Sequence, residues 1–335
     1  MPTVSRDVDY LRLILHQDSD GILLSRKRSP ELAIELPEIQ ELRMLLGLLA
    51  DRGIEKVRIT GDDPALREDL TEVVELVASI SGVREIALTT RGVGLAGRIA
   101  PLAREGLAAI NFNLDTLQPK RFKQLYGSDQ YRAAWRAVEE ALAQGVTVKI
   151  NTVVTQGFND DEIEDFAELA RTMPLHVRFV EWNTDSEALA PPADFLPAWE
   201  VFAAVPHALH PGQAPPRSGP AKLFEVDGSP GAIGFIDNVT DHFCSECRRI
   251  GLTDRGEIQS CIFGHGLSLL TQLRGAEGES GVREFIDRVV RRKSTLVSRL
   301  GNAPSPFLEA TAEFALARGD AAAAYGAAAP PPPAS

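Results

Sequence analysis

The chain has 335 residues, 44% hydrophobic and 24% charged, with a formal net charge of −12 at pH 7. No apolar run approaches the roughly 20 residues of a membrane-spanning helix, and so acidic a chain offers no electrostatic footprint for a nucleic-acid backbone. The N-terminus shows no charged-then-apolar leader, so the 3 cysteines read as reduced thiols of a cytoplasmic protein and not as a disulfide framework.

In chain order, YLRLIL (10–15), KVRIT (56–60), EIALTT (85–90), AAINFNLD (108–115), VTVKINTVV (146–154) and HVRFVE (176–181) read as β-strands. Between them, stretches such as PEIQELRMLLGLLADRG and YRAAWRAVEEALAQG carry apolar residues at i, i+3, i+4 and i+7 and stop at glycine, the pattern of amphipathic helices. Strands alternating with helices imply parallel strands joined by right-handed crossovers, an α/β class. An open doubly wound sheet and a closed or partial (β/α) barrel both satisfy it. Either places function beyond the C-terminal strand ends, here HQDSD, GDDP, TTRG, NLDT, TQGFND and EWNTD.

The pattern sets domain bounds: a barrel-type region over 1–185, a Pro-rich linker or crossing segment over 186–220 with a short helix at AWEVFAAV, and a C-terminal region over 221–300. In that last region AKLFEVDG and AIGFID form a hairpin joined at GSPG, and a helix follows near 282–299. Residues 301–335 end in AAAAYGAAAPPPPAS, a low-complexity tail expected to be disordered.

All three cysteines fall in FCSECRRIGLTDRGEIQSCIFGH with the spacing C-x2-C-x13-C. Cys244 and Cys247 can grip one metal centre, and a hairpin turning at Asp254-Arg255-Gly256 returns Cys261 as a third ligand. Two chemistries satisfy that spacing. A four-iron cluster on three thiolates leaves one iron open to a ligand, whereas zinc wants a fourth protein ligand, for which His265 or His242 is near. Three buried structural thiols are the bland alternative, which the use of every cysteine in one group disfavours.

These motifs carry a family resemblance. YLRL, KVRITG-x-x-P-x-L-R-x-DL, ALTT-x-G, N-x-x-LD-x-L, VKINTVV-x-x-G-x-ND-x-EI, VRFVE, IGFI and FC-x-x-C-x-R-x-x-LT-x-x-G occur in the order found in the molybdenum cofactor biosynthesis protein A family. That family comprises the GTP 3',8-cyclases of the radical SAM superfamily, and the resemblance spans roughly residues 8–297. It implies a partial (β/α)6 TIM-like barrel with a C-terminal iron-sulfur extension, and a 4Fe-4S cluster on Cys244, Cys247 and Cys261 with its open iron facing a purine. It also implies that Arg12, Lys56, Arg58, Arg178 and Arg249 grip a nucleotide triphosphate such as GTP, and that the protein is a homodimer. Basic residues inside strands need an anion partner, which agrees with that assignment.

The departures from the family are concerted. Where the resemblance places C-x3-C-x2-C for the cluster that cleaves S-adenosylmethionine, this chain has Ser19, Leu23 and Arg26. The family's Gly-Gly-Glu-Pro reads Gly61-Asp62-Asp63-Pro64, Arg91 replaces an asparagine, Asn113 a serine and Gly251 a second arginine. The chain is therefore expected to have lost the S-adenosylmethionine site and radical chemistry. At the remodelled mouth Asp18, Asp20, Asp62 and Asp63 could hold a hard cation such as Mg2+, form a solvated acidic loop, or be neutralised by Arg26, Lys27 and Arg28. Asp62 or Asp63 is the candidate proton-transfer group if the protein is an enzyme. A noncatalytic nucleotide or redox sensor, a regulatory partner, and a zinc-stabilised binding protein are the alternatives.

Overall fold

Strand formation follows the alternation in the sequence. In YLRLIL, Leu11, Leu13 and Leu15 are at most 2% exposed, while Tyr10, Arg12 and Ile14 lie on the opposite face. The structure, a computed structural model, describes residues 8–15, 39–182, 194–213, 219–237, 247–261 and 266–299. Outside these lie Asp18, Ser19, Asp20, Leu23, Arg26, Lys27, Arg28, His242, Cys244, His265 and the Ala/Pro tail over 301–335.

In chain order the elements begin with β1 (Tyr10–Leu15), α1 (Ile39–Asp51), β2 (Lys56–Gly61), α2 (Leu70–Ala78), β3 (Glu85–Thr90), α3 (Ile99–Arg104), β4 (Leu107–Asn113), α4 (Pro119–Tyr126) and α5 (Tyr131–Ala143). They continue with β5 (Thr147–Val153), α6 (Ile163–Thr172), β6 (His176–Val180), α7 (Ala198–Ala204), β7 (Leu209–Pro211), β8 (Lys222–Val226) and β9 (Ala232–Ile236). The last are β10 (Arg249–Thr253), β11 (Glu257–Gln259), β12 (Leu267–Ser268), α8 (Leu269–Leu273) and α9 (Gly278–Arg299). Helices α1, α3 and α5 are followed by Gly53, Gly106 and Gly145 with φ of 110°, 104° and 70°, the left-handed conformation that ends a helix most cheaply in glycine.

The chain divides into two compact units. The first comprises Met1–Asn113, Tyr126–Val148 and Glu246–Gly301. Its strands run in the order β12-β11-β10-β1-β2-β3-β4, with β10, β1, β2, β3 and β4 parallel and β10-β11-β12 a meander. The last part of the chain thus returns to lie beside its first strand, Tyr10 opposite Arg249. Leu42, Leu45 and Leu49 of α1, Val74 and Val77 of α2, and Leu11, Val57, Ile59 and Leu88 of the sheet are buried, each contributing about 1.5–3 kcal/mol relative to exposure. Ion pairs Arg52–Asp287 at 2.7 Å and Arg283–Asp51 at 2.8 Å link α1 to α9.

The second unit comprises Leu114–Leu125, Lys149–Ser245 and Asn302–Ser335, and its strands run β5-β6-β9-β8-β7. The hairpin read at GSPG is present as antiparallel β8 and β9, and β9 also pairs in parallel with β6. Within 186–220, the described residues hold α7 and also β7, which pairs with β8 and which the Pro-rich composition had concealed. Among the described residues, no helix is long and apolar enough to cross a membrane.

Candidate functional site

Register decides which predicted residues meet. Arg12 on β1 sits opposite Arg58 on β2 and Gly251 on β10, while Tyr10 sits opposite Lys56 and Arg249. Partners in register share a face, so Tyr10, Arg12, Lys56, Arg58 and Arg249 stand on one face of the first unit's sheet. The Lys56 ammonium lies 5.1 Å and the Arg58 guanidinium 5.3 Å from the centroid of the Tyr10 ring, within cation–π range. Lys56 is 1% exposed and pairs with Glu85 at 2.7 Å. Burial, then the charges of Arg58 and Arg249, lower the pKa of Arg12 to about 10, so it remains a cation at neutral pH but sits in a field that an anion would relieve. The Tyr10 hydroxyl and Arg58 Nε, both buried, have no hydrogen-bond partner within the described chain. Four of the five predicted anion residues thus converge.

Gly251 belongs to the same face. A Cβ there would lie 3.2 Å from Ile14 Cδ1 and 3.3 Å from Gln259 Cβ, so the space next to the expected second arginine is filled by neighbours. The fifth residue, Arg178, lies on β6 of the second unit, 2% exposed, between Asn151 and Gly234 in register. It shares its face with Lys149 and His176. Burial first, then Arg178 and Lys149, push the pKa of His176 down to about 4, so that imidazole is neutral. Sequence reading missed Lys149 and Tyr10. Lys149 carried the signal that found Lys56, a lysine inside an apolar strand.

Cys247 and Cys261 are both partly exposed free thiols on the arms flanking the β10–β11 hairpin, whose turn is the one read at Asp254-Arg255-Gly256. Burial alone would raise the Cys247 thiol, but Arg249 and Lys293 outweigh it and the net shift is downward. Lys293 Nζ donates to Cys247 Sγ at 3.3 Å and to the carbonyl of Ser260, next to Cys261, at 2.9 Å. Thiolate-favouring surroundings and two arms held to one cation fit a metal or iron-sulfur centre. The third proposed ligand, Cys244, lies outside the described residues, as do His242 and His265.

At the end of β2, Gly61 has φ 134°, and a Cβ there would fall 1.9 Å from the carbonyl oxygen of Leu15, so only glycine lets β2 close against the end of β1. The two carboxylates that follow have different surroundings. Asp62 is exposed; Asp63, 2% exposed, accepts from Thr90 Oγ1 at 2.5 Å and from Arg91 Nε at 3.0 Å. Arg91 also lies 5.7 Å from the Tyr126 ring centroid. Asp63 and Arg91, both read above as departures from the family pattern, thus form one ion pair with the carboxylate buried and the guanidinium partly exposed.

Other motifs prove to be architectural. Asn159 accepts from the amide of Thr155 at 2.7 Å and donates to the carbonyls of Val153 at 2.9 Å and Asp115 at 2.5 Å. Glu162, 1% exposed, accepts from Thr116 Oγ1 at 2.7 Å and from Arg121 at 2.6 Å. The N-x-x-LD-x-L and G-x-ND-x-EI motifs are therefore two halves of one staple in the second unit.

The description "Radical SAM superfamily" matches residues 25–170, and "Molybdenum Cofactor Synthesis C" matches residues 175–298. The chain is 34% identical over 301 residues to the GTP 3',8-cyclase of Moorella thermoacetica, covering 87% of this chain and 93% of the relative. It is 34% identical over 285 residues to the mitochondrial GTP 3',8-cyclase of Arabidopsis thaliana, covering 82% and 70%. The crystal structure of Streptococcus suis SuiB bound to S-adenosylmethionine is similar with a TM-score of 0.51 at 14% identity, covering 84% of this chain and 68% of that one. At that identity the likeness speaks for fold alone, and it agrees with the α/β class read from the strand and helix alternation.

Proposed function

The chain belongs to the GTP 3',8-cyclase family, and from that premise we propose that it is a purine-nucleotide-binding member that has lost the S-adenosylmethionine-cleaving cluster and keeps one cysteine-held 4Fe-4S cluster. The observation that carries this reading is the basic face: Arg12, Lys56, Arg58 and Arg249 share one side of a sheet, and Arg249 stands two residues from Cys247. Such a face supplies charge-assisted hydrogen bonds to a polyphosphate. Arg178, carried over from the family resemblance, lies on β6 of the second unit. Cys244, Cys247 and Cys261 would hold the cluster, which when bound supplies a Lewis-acidic iron with an open position. Loss of the other cluster is supported by Ser19, Leu23 and Arg26 standing where the resemblance places cysteines, and by the total of 3 cysteines in the chain, all used in the C-terminal group.

In this reading Arg12, Lys56, Arg58 and Arg249 orient the anion, with Tyr10 fixing the side chains of Lys56 and Arg58. Asp62, exposed at the end of β2, is the candidate for moving a proton in this reading, and Asp63, 2% exposed, accepts from Thr90 and Arg91. That engagement also favours a second reading, a noncatalytic nucleotide-responsive partner, in which the mouth of the sheet is neutralised from within and binding is the whole function.

The test is anaerobic purification of the full chain followed by iron and sulfide analysis, with EPR of the reduced protein before and after GTP. Iron and sulfide for one cluster, a spectrum that changes on adding GTP, and no 5'-deoxyadenosine from S-adenosylmethionine are expected. Zinc without iron, or steady 5'-deoxyadenosine formation, would overturn the reading.

A further inference from the structure

Lys293 belongs to none of the motifs that carry the family resemblance. It extends the apolar stripe of α9, whose Val282, Ile286, Val289 and Val290 are all buried, to a position where another hydrophobe would ordinarily stand. Instead a lysine sits there at 5% exposure. A buried ammonium is costly unless fixed acceptors receive its protons. Among the described residues, those given to it are a backbone carbonyl, Ser260 O at 2.9 Å, and a cysteine sulfur, Cys247 Sγ at 3.3 Å. A neutral carbonyl is a weak counterpart for a full charge, and the sulfur becomes an adequate one when it carries negative charge as a metal-bound thiolate.

The two contacts also join separate stretches of chain. Cys247 precedes β10, whereas Ser260 follows β11 and is bonded directly to Cys261. One ammonium on a third element therefore spans both sides of the hairpin that presents the described cysteines.

We propose that Lys293 is a positioning residue of the cysteine-held centre: it ties the Cys247 arm to the Cys261 arm and donates an N–H···S hydrogen bond to the Cys247 ligand sulfur. This rests on the cluster reading above. A donor at a ligand sulfur withdraws electron density from it and stabilises the reduced cluster, so its removal makes the reduction potential more negative.

The experiment compares the reconstituted full-length protein with Lys293→Met, which keeps the stem and the apolar stripe, and with Lys293→Arg, which keeps a cationic donor; Lys293→Gln replaces the Met variant should that one not fold. Each is followed by circular dichroism, iron and sulfide content, EPR, a redox titration of the cluster, and the rate of iron loss to a chelator. Lys293→Met is expected to fold, to show a more negative midpoint and a changed EPR spectrum, and to lose iron roughly 10-fold faster, a typical cost of removing an outer-shell partner. Lys293→Arg should restore most of the midpoint. A wild-type midpoint, spectrum and iron retention in Lys293→Met would overturn the proposal, as would equal shifts in the Met and Arg variants, which would trace the effect to packing. A wild-type protein without cysteine-bound iron would instead remove the cluster reading itself, and this inference with it.

Discussion

Gly61 shows how one residue fixes the geometry around the mouth of the first unit. With φ at 134° and a would-be Cβ 1.9 Å from the carbonyl oxygen of Leu15, alanine meets both backbone strain and a clash with backbone that cannot move aside. Gly61→Ala is expected to destabilise the protein by about 3 kcal/mol or more, checked by urea unfolding. Gly251, the other glycine on a site strand, has an ordinary backbone and only side-chain neighbours at 3.2–3.3 Å. It is not a required glycine, and the resemblance is what places an arginine at that position. Both roles had a sequence signal in the motif spacing, but their difference lies in φ and in neighbours from other strands, which one sequence does not display. The same holds for Asp63 and Arg91: each was legible as a departure, while their ion pair depends on β2 and β3 ending side by side.

Elements were legible where their periodicity is local. EIALTT and YLRLIL coincide with β3 and β1 because alternating burial is written into adjacent residues. Pairing of β10 with β1 was not, because it joins residues some 240 apart and nothing in RIGLT specifies which strand it will flank. The motif staple of the second unit illustrates the same division: its residues were quoted as motifs, yet only the fold reveals that they hold each other. Asn159→Ala removes three hydrogen bonds to buried or half-buried backbone groups and should cost about 3 kcal/mol, read as an earlier unfolding transition in urea; Asn159→Asp should give no rescue, because a carboxylate can accept from Thr155 but sets a second acceptor against the two carbonyl oxygens. His176 on β6 gives that unit a pH limb. Its folded pKa, about 4, lies below the ordinary 6.5, so the folded state disfavours the proton that the unfolded state takes up. The associated stability is complete above pH 6.5 and is lost as pH falls from 6.5 towards 4. Wild-type thermal stability should decline over that window more steeply than that of His176→Gln.

At the scale of the whole chain, a formal charge of −12 makes concentrated positive charge on one sheet face costly to explain by solubility or non-specific attraction. Arg12 sits between Arg58 and Arg249, and its depressed pKa records burial and then their repulsion. If this face binds an anion, it does so at the expense of the empty fold, and the two effects separate in one variant. Arg12→Met keeps an unbranched apolar stem and removes the middle charge. Without nucleotide it should unfold at a temperature equal to or above wild type, because two like-charge contacts and a buried cation are gone. With GTP the order should reverse. A ligand at 100 times its Kd stabilises the fold by about 2.7 kcal/mol, and losing one charge-assisted contact of about 1.5–3 kcal/mol weakens binding roughly 10- to 100-fold, which removes about half of that gain or more at the same concentration. Thermal unfolding of both proteins, with and without GTP, decides it. If Arg12→Met loses stability in the empty state and retains the full nucleotide-dependent rise, Arg12 is a packing residue and the basic face has another purpose.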